Sequence, residues 1–188
     1  MRVLGVLSVM IGWAGAAGAA CLPDEQTFMA CTIAGNGKSL RVCFDADMVH
    51  YRFGAPDQPP ELTLSSPVAE VDYTPWPGIG RAIWESVHFP NAGYVYEVFA
   101  GFDRMIQEDD PEDPGFGGVH VLRDDQVIAE LRCSPDSLDF TWGDGLFLAK
   151  EAAGMTYDMS TQTWGARPQN NHISRSKIPS TQNQGVFL

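Results

Sequence analysis

The alternation of apolar and polar residues is clearest over Thr27–Phe44, TFMACTIAGNGKSLRVCF. It predicts a β-hairpin turning at Gly35-Asn36-Gly37, because Asn-Gly accepts the positive φ angles of a two-residue turn. With Asn36 and Gly37 as the turn, Ile33 faces Leu40, Cys31 faces Val42 and Met29 faces Phe44. All six then share one face, and Ser39, Arg41 and Cys43 take the other.

The same period of two recurs along the chain. Met48–Phe53 predicts a third strand with Val49, Tyr51 and Phe53 inward and His50 and Arg52 outward. Glu61–Leu64 and Val68–Tyr73 are further short strands, and the prolines on both sides of Trp76 make Thr74–Gly80 a loop. Ile83–Phe89 and Tyr94–Phe99 form a pair across Pro90–Gly93, and Val119–Arg123 and Gln126–Cys133 a last hairpin over Asp124-Asp125. After Cys133 the pattern changes: Asp144-Gly145, Leu146–Ala153 and then Gly154 predict one short helix with an acid at its start and a glycine stop. Gly165–Leu188, rich in Asn, Gln, Ser and Pro, reads as a disordered or loosely docked tail.

The faces sort the cysteines. Cys31 and Cys133 fall on the apolar faces of their strands, leaving Cys21 and Cys43 to each other. Of the three connectivities open to four cysteines, Cys31–Cys133 with Cys21–Cys43 is expected. The first would staple the first strand to the last. A mainly β fold follows, a small antiparallel barrel or sandwich with a short C-terminal helix; closure of the sheet ends favours the barrel.

Composition bears on location and partners. Met1–Ala20 has the form of a signal peptide: Arg2, an apolar run Val3–Trp13, then small residues up to Ala20. Cleavage there leaves no transmembrane segment in the mature chain, one disulfide-stapled domain over 21–164 and the tail 165–188. A lipid anchor on Cys21 is disfavoured, because Gly18 stands where such sites carry a large aliphatic residue and an odd thiol would be left over. The protein is expected to be periplasmic or secreted. Its 24 Asp and Glu outnumber 12 Lys and Arg, a net charge of −12, which disfavours nucleic acid and anionic lipid and suits a cationic protein partner.

Candidate chemistry is sparse. His50, His88, His120 and His172 are scattered in sequence with no HExxH or CxxC motif, so no metal site and no cofactor are expected. There is no GxSxG elbow, and Gly35–Ser39 echoes a phosphate loop without its leading glycine. Glu85 and Glu97 sit on neighbouring strands, where two carboxyl groups would make a glycosidase pair. The acidic run Asp103–Asp113 lacks the spacing and central glycine of an EF-hand. Recognition is left: Trp76, with Ile79 and Trp84, offers rigid apolar area, and Asp109, Asp110, Glu112 and Asp113 supply charge.

The segments TFMAC, GKSLRVC, HYRFG, PELTL, FPNAGYVYEVF, GVHVL and VIAELRC, spread over residues 21–133, resemble those of small exported bacterial proteins of uncharacterised function. In layout the chain is more distantly similar to the periplasmic c-type lysozyme inhibitors, which are exported, acidic, disulfide-bearing antiparallel barrels. Their inhibitory loop is not matched, since Val98-Phe99-Ala100-Gly101-Phe102 differs from it. The resemblance implies a layout and carries over no inhibitory residue. The expectation is therefore an exported binding protein without catalysis that captures or inhibits a cationic partner such as a cell-wall hydrolase. The alternatives are a glycan hydrolase using Glu85 and Glu97, and a structural envelope protein that docks through its tail.

Overall fold

The computed structural model describes residues 21–104 and 115–168. The proposed leader, the acids Asp109, Asp110, Glu112 and Asp113, and the tail from 169 onward lie outside the described residues.

Two antiparallel sheets pack face to face. The first contains β1 (Gln26–Thr32), β2 (Ser39–Phe44), β3 (Met48–Gly54), β4 (Leu62–Pro67) and β10 (Asp139–Phe140), in the order β10-β1-β2-β3-β4. The second runs β5 (Asp72–Thr74), β6 (Ala82–Asn91), β7 (Tyr94–Asp103), β8 (Gly115–Arg123) and β9 (Gln126–Arg132), in sequence order. The helix α1 (Asp144–Ala152) and a hairpin of β11 (Met155–Asp158) and β12 (Thr163–Ala166) follow. Of the two expected architectures the sandwich is the one that forms.

No closed barrel forms, and β4 and β5 are edge strands of separate sheets. Val68–Tyr73, expected as a strand, is mostly a turn in which Glu70 and Val71 donate to the Pro67 carbonyl. The outward carbonyls of that turn are taken by Lys150 of α1, whose Nζ donates to Val68 O at 3.0 Å, Ala69 O at 3.2 Å and Val71 O at 2.7 Å. Lys150 is only 1 % exposed. Its three ammonium protons meet three carbonyls, which is how a buried cation is tolerated. Burial draws its pKa down to about 8, so at neutral pH it keeps the charge and the third donor.

The first hairpin holds a correction. Its loop is four residues long, since Thr32 pairs with Ser39 and Ile33 exchanges bonds with Lys38 and Gly37. The positive φ angles fall on Gly35 (82°) and Gly37 (67°), and Asn36 instead accepts from Lys38 N through its side chain. Cys31 therefore faces Leu40, and Met29 faces Val42. The slip is by two residues, so every side chain keeps its face; the apolar pattern satisfies both registers equally. A bulge between Thr27 and Met29 then lets both Phe28 and Met29 be buried.

Both disulfides pair as expected, Cys21 with Cys43 and Cys31 with Cys133. Cys43 is nevertheless fully buried, covered by the arm that Cys21 brings across it. The second bond lies where the two sheets meet. There Ile33 and Cys133 form a β-bridge, Ala34 N donates to Arg132 O, and Cys133 N to Gly117 O. From this corner the inner faces, Met29, Val42 and Tyr51 opposite Val87, Phe89 and Val98, form one core.

The C-terminal elements cap the open end. Leu146 is buried in the core, and Trp164 of β12 donates from Nε1 to Tyr73 O at 2.8 Å. Arg167 N donates to Gly154 O, which carries the folded body past the boundary expected at Trp164. Because Lys150 ties this cap to the 68–71 turn, Lys150→Met is expected to destabilise the protein by about 2–4 kcal/mol through three stranded carbonyls. Urea unfolding checks this, with the surface variant Lys38→Met as the control that changes little.

Candidate functional site

Sheet register decides which candidate residues meet. On β6 the odd positions Ile83, Glu85, Val87 and Phe89 face the core and are buried, while Trp84 and His88 face outward and are half-buried. Glu85 pairs with Ala100 and Glu97 with His88. The two glutamates therefore project from opposite faces of one sheet, and no paired-carboxylate cleft forms between them. Trp84 likewise lies on the far face from Glu85, away from the cleft that Trp76 enters.

That cleft, about 220 Å³, is lined by Pro75, Trp76, Glu85, Trp142, Phe147 and Met159. At ~30 Å³ per water it has room for roughly seven waters, enough for the end of one long side chain or a small amine. Its rim is apolar and open: Trp142 is 46 % and Met159 60 % exposed. Pro75 and Pro77 hold the loop that carries Trp76, and its indole Nε1 donates to Ile79 O at 3.1 Å. Trp142 meets Trp76 edge-to-face at a centroid distance of 6.5 Å and Phe102 at 6.0 Å. Arg104 already lays its guanidinium 5.4 Å from the Trp76 ring centroid, while Nε donates to Arg81 O. Arg104, the first residue after β7, thus lies beside Trp76.

Glu85 is the polar group of this cleft and is 4 % exposed. Burial pushes its carboxyl up to about 7, against a smaller opposing effect of the Tyr73 hydroxyl. That hydroxyl is buried beside Glu85 without a well-aligned hydrogen bond, and the buried Tyr157 hydroxyl also lacks one. Burial raises the pKa of both phenols, Tyr73 more strongly. Around them Tyr73, Phe147, Tyr157 and Trp164 pack ring on ring, with centroids 5.0–6.3 Å apart. A proton-hungry carboxyl in an aromatic cleft is the chemical content of the site.

Most of these rings come from beyond Cys133, where strand periodicity had ended. The available signal was composition, since Phe140, Trp142, Phe147, Tyr157 and Trp164 crowd into one short segment. Elsewhere, Cys21, Glu25 and Cys43 group closely. Both sulfurs are in the disulfide and Glu25 is paired with Arg52 at 2.6 Å, so they offer no thiolate to a metal. The chain matches no protein-family model, no curated protein and no solved structure.

The raised carboxyl has a stability consequence. The folded state binds the Glu85 proton more tightly than the unfolded chain does, so its contribution is complete below pH ~4.5 and is lost as pH rises through about 7. Between pH 5 and 8 the wild type should lose about 2.5 kcal/mol more than Glu85→Gln. Denaturant titrations of both proteins at the two pH values measure the difference; parallel pH profiles would contradict it.

Proposed function

We propose that this is an exported binding protein that captures a cationic side chain of a partner protein in the cleft above Glu85. The observation that carries this reading is a buried carboxyl inside an aromatic cleft whose Trp76 already stacks on a guanidinium. A cation entering there meets ring faces worth ~0.5–2 kcal/mol each, more when desolvated. It also neutralises a carboxylate that is otherwise poorly solvated. The acidic composition supports attraction of such partners over distance. Asp109, Asp110, Glu112 and Asp113 are part of that acidic composition.

Two disulfides support an extracytoplasmic location, as do the leader-like first twenty residues. Among the described residues no helix is long and apolar enough to cross a membrane. A cationic cell-wall hydrolase is the sharpest form of the partner, drawn from the layout resemblance alone. The glycan-hydrolase alternative loses its basis, because Glu85 and Glu97 face opposite ways.

The test is a titration of the oxidised mature protein with a tetra-arginine peptide, read by tryptophan fluorescence. Affinity should rise with pH through about 7, as the carboxyl ionises to receive the cation. Glu85→Gln should bind at least about tenfold more weakly and lose that pH dependence, and Trp142→Ala should weaken binding with the dependence kept. Equal binding by wild type and Glu85→Gln at pH 8 would sink the proposal.

A further inference from the structure

The outer face of the second sheet carries a second constellation, independent of the cleft. Five residues form a row across all five strands, each the register partner of the next: Asp72, His88, Glu97, His120 and Glu130. Carboxylates and imidazoles alternate. Glu97 stands between the two rings, with Oε1 3.4 Å from His88 Nε2 and Oε2 2.9 Å from His120 Nδ1. Each ring's far nitrogen meets an outer carboxylate, His88 Nδ1 with Asp72 at 3.3 Å and His120 Nε2 with Glu130 at 3.2 Å. Phe99 stacks on His120 at 4.5 Å, and Arg132 holds Glu130 at 2.6 Å.

We infer that His88, Glu97 and His120 form a binding site for a divalent transition-metal ion of the zinc type. The argument is one of chemistry and register. Two imidazoles and a carboxylate are a ligand set that such ions accept and that calcium and magnesium, which prefer oxygen, do not. Ligating histidines characteristically hand their other nitrogen to a carboxylate, which orients the ring and raises its basicity. Glu130 occupies that place for His120, and Asp72 lies 3.3 Å from His88 Nδ1 without an aligned hydrogen bond. As the side chains lie, the two ring nitrogens contact different oxygens of Glu97, 3.4 and 2.9 Å away, and the three ligand atoms do not yet converge on one point.

The rings flank the carboxylate instead of forming a closed cage. Binding therefore requires side-chain rotation, with both ring nitrogens turning lone pairs to an ion that also takes a Glu97 oxygen. The strands need not move: His88 and His120 lie two strand spacings apart, ~10 Å between Cα atoms, a span two imidazole arms bridge around one ion. Water completes the coordination, since all three residues keep part of their surface in solvent.

The rival is a row of surface ion pairs that only braces the sheet. Isothermal titration of the oxidised protein with Zn²⁺, and separately with Ca²⁺ and Mg²⁺, separates the two. The inference expects one Zn²⁺ per chain, no comparable Ca²⁺ or Mg²⁺ binding, and a Zn²⁺-dependent rise in Tm. His88→Ala or His120→Ala should weaken Zn²⁺ at least about tenfold, and Asp72→Asn or Glu130→Gln by ~10–100-fold. His50→Ala, on the other sheet, should change nothing. No Zn²⁺ binding, or binding that persists in a folded His88→Ala/His120→Ala double variant, would overturn it. The first result leaves the row as bracing; the second puts the ion elsewhere.

Discussion

The architecture rests on the corner where Ile33 and Cys133 form a bridge between the two sheets. At that point the backbone of residues 32–34 bonds to residues 132–134, and Cys133 N reaches Gly117 as well. A segment bonded to both sheets fixes the angle between them, and the core side chains then have one way to interdigitate. The Cys31–Cys133 bond holds this corner across a sequence separation of 102 residues. In the chain-entropy account a loop near that length removes ~4.7 kcal/mol of freedom from the unfolded chain, before any strain is counted. Hydrogen bonds place the corner; the disulfide keeps it from opening.

Opposite dependence governs the cleft. Glu85 lies on its own sheet but shares its cleft with what arrives later in the chain, Trp142, Phe147 of the helix and Met159. The helix and the β11–β12 hairpin cap the end of the sandwich, and Phe147 joins Trp142 and Trp76 around the carboxyl. The unusual proton affinity of Glu85 is therefore a property of the C-terminal cap as much as of β6. A domain trimmed at Cys133 would retain the glutamate and lose its environment.

Much of the strand plan was legible because period-two alternation and turn residues act locally. The turns at Ala92-Gly93 and Asp124-Asp125 both take positive φ, and each fixes a hairpin where sequence had placed one. The cysteine pairing was legible through face assignment, a local property too. What escaped was non-local. A two-residue slip in the first hairpin is invisible to hydrophobic pattern, since both registers bury the same side chains. Val68–Tyr73 looks like a strand until Lys150, far along the chain, claims its carbonyls. The cleft draws its rings from the loop between β5 and β6 and from segments beyond Cys133, with Trp76 as the one ring of the lining that the sequence singled out. His88 and His120 seemed scattered by sequence distance, yet one strand separates them in space.

The order of the cysteines along the chain has a consequence for how the protein matures. The two bonds interlock in sequence, with Cys31 lying inside the Cys21–Cys43 loop and its partner Cys133 far outside it. A chain delivered to an oxidising compartment N-terminus first presents Cys21 and Cys31 together before Cys43 arrives, and Cys133 only after most of the body has crossed. Oxidation in order of appearance joins Cys21 to Cys31, a pair the finished fold does not contain. Reaching the native set from there requires thiol–disulfide exchange after Cys133 emerges, through a mixed-disulfide intermediate. If the chain is exported as proposed, reaching Cys21–Cys43 and Cys31–Cys133 calls for conditions that permit thiol–disulfide exchange.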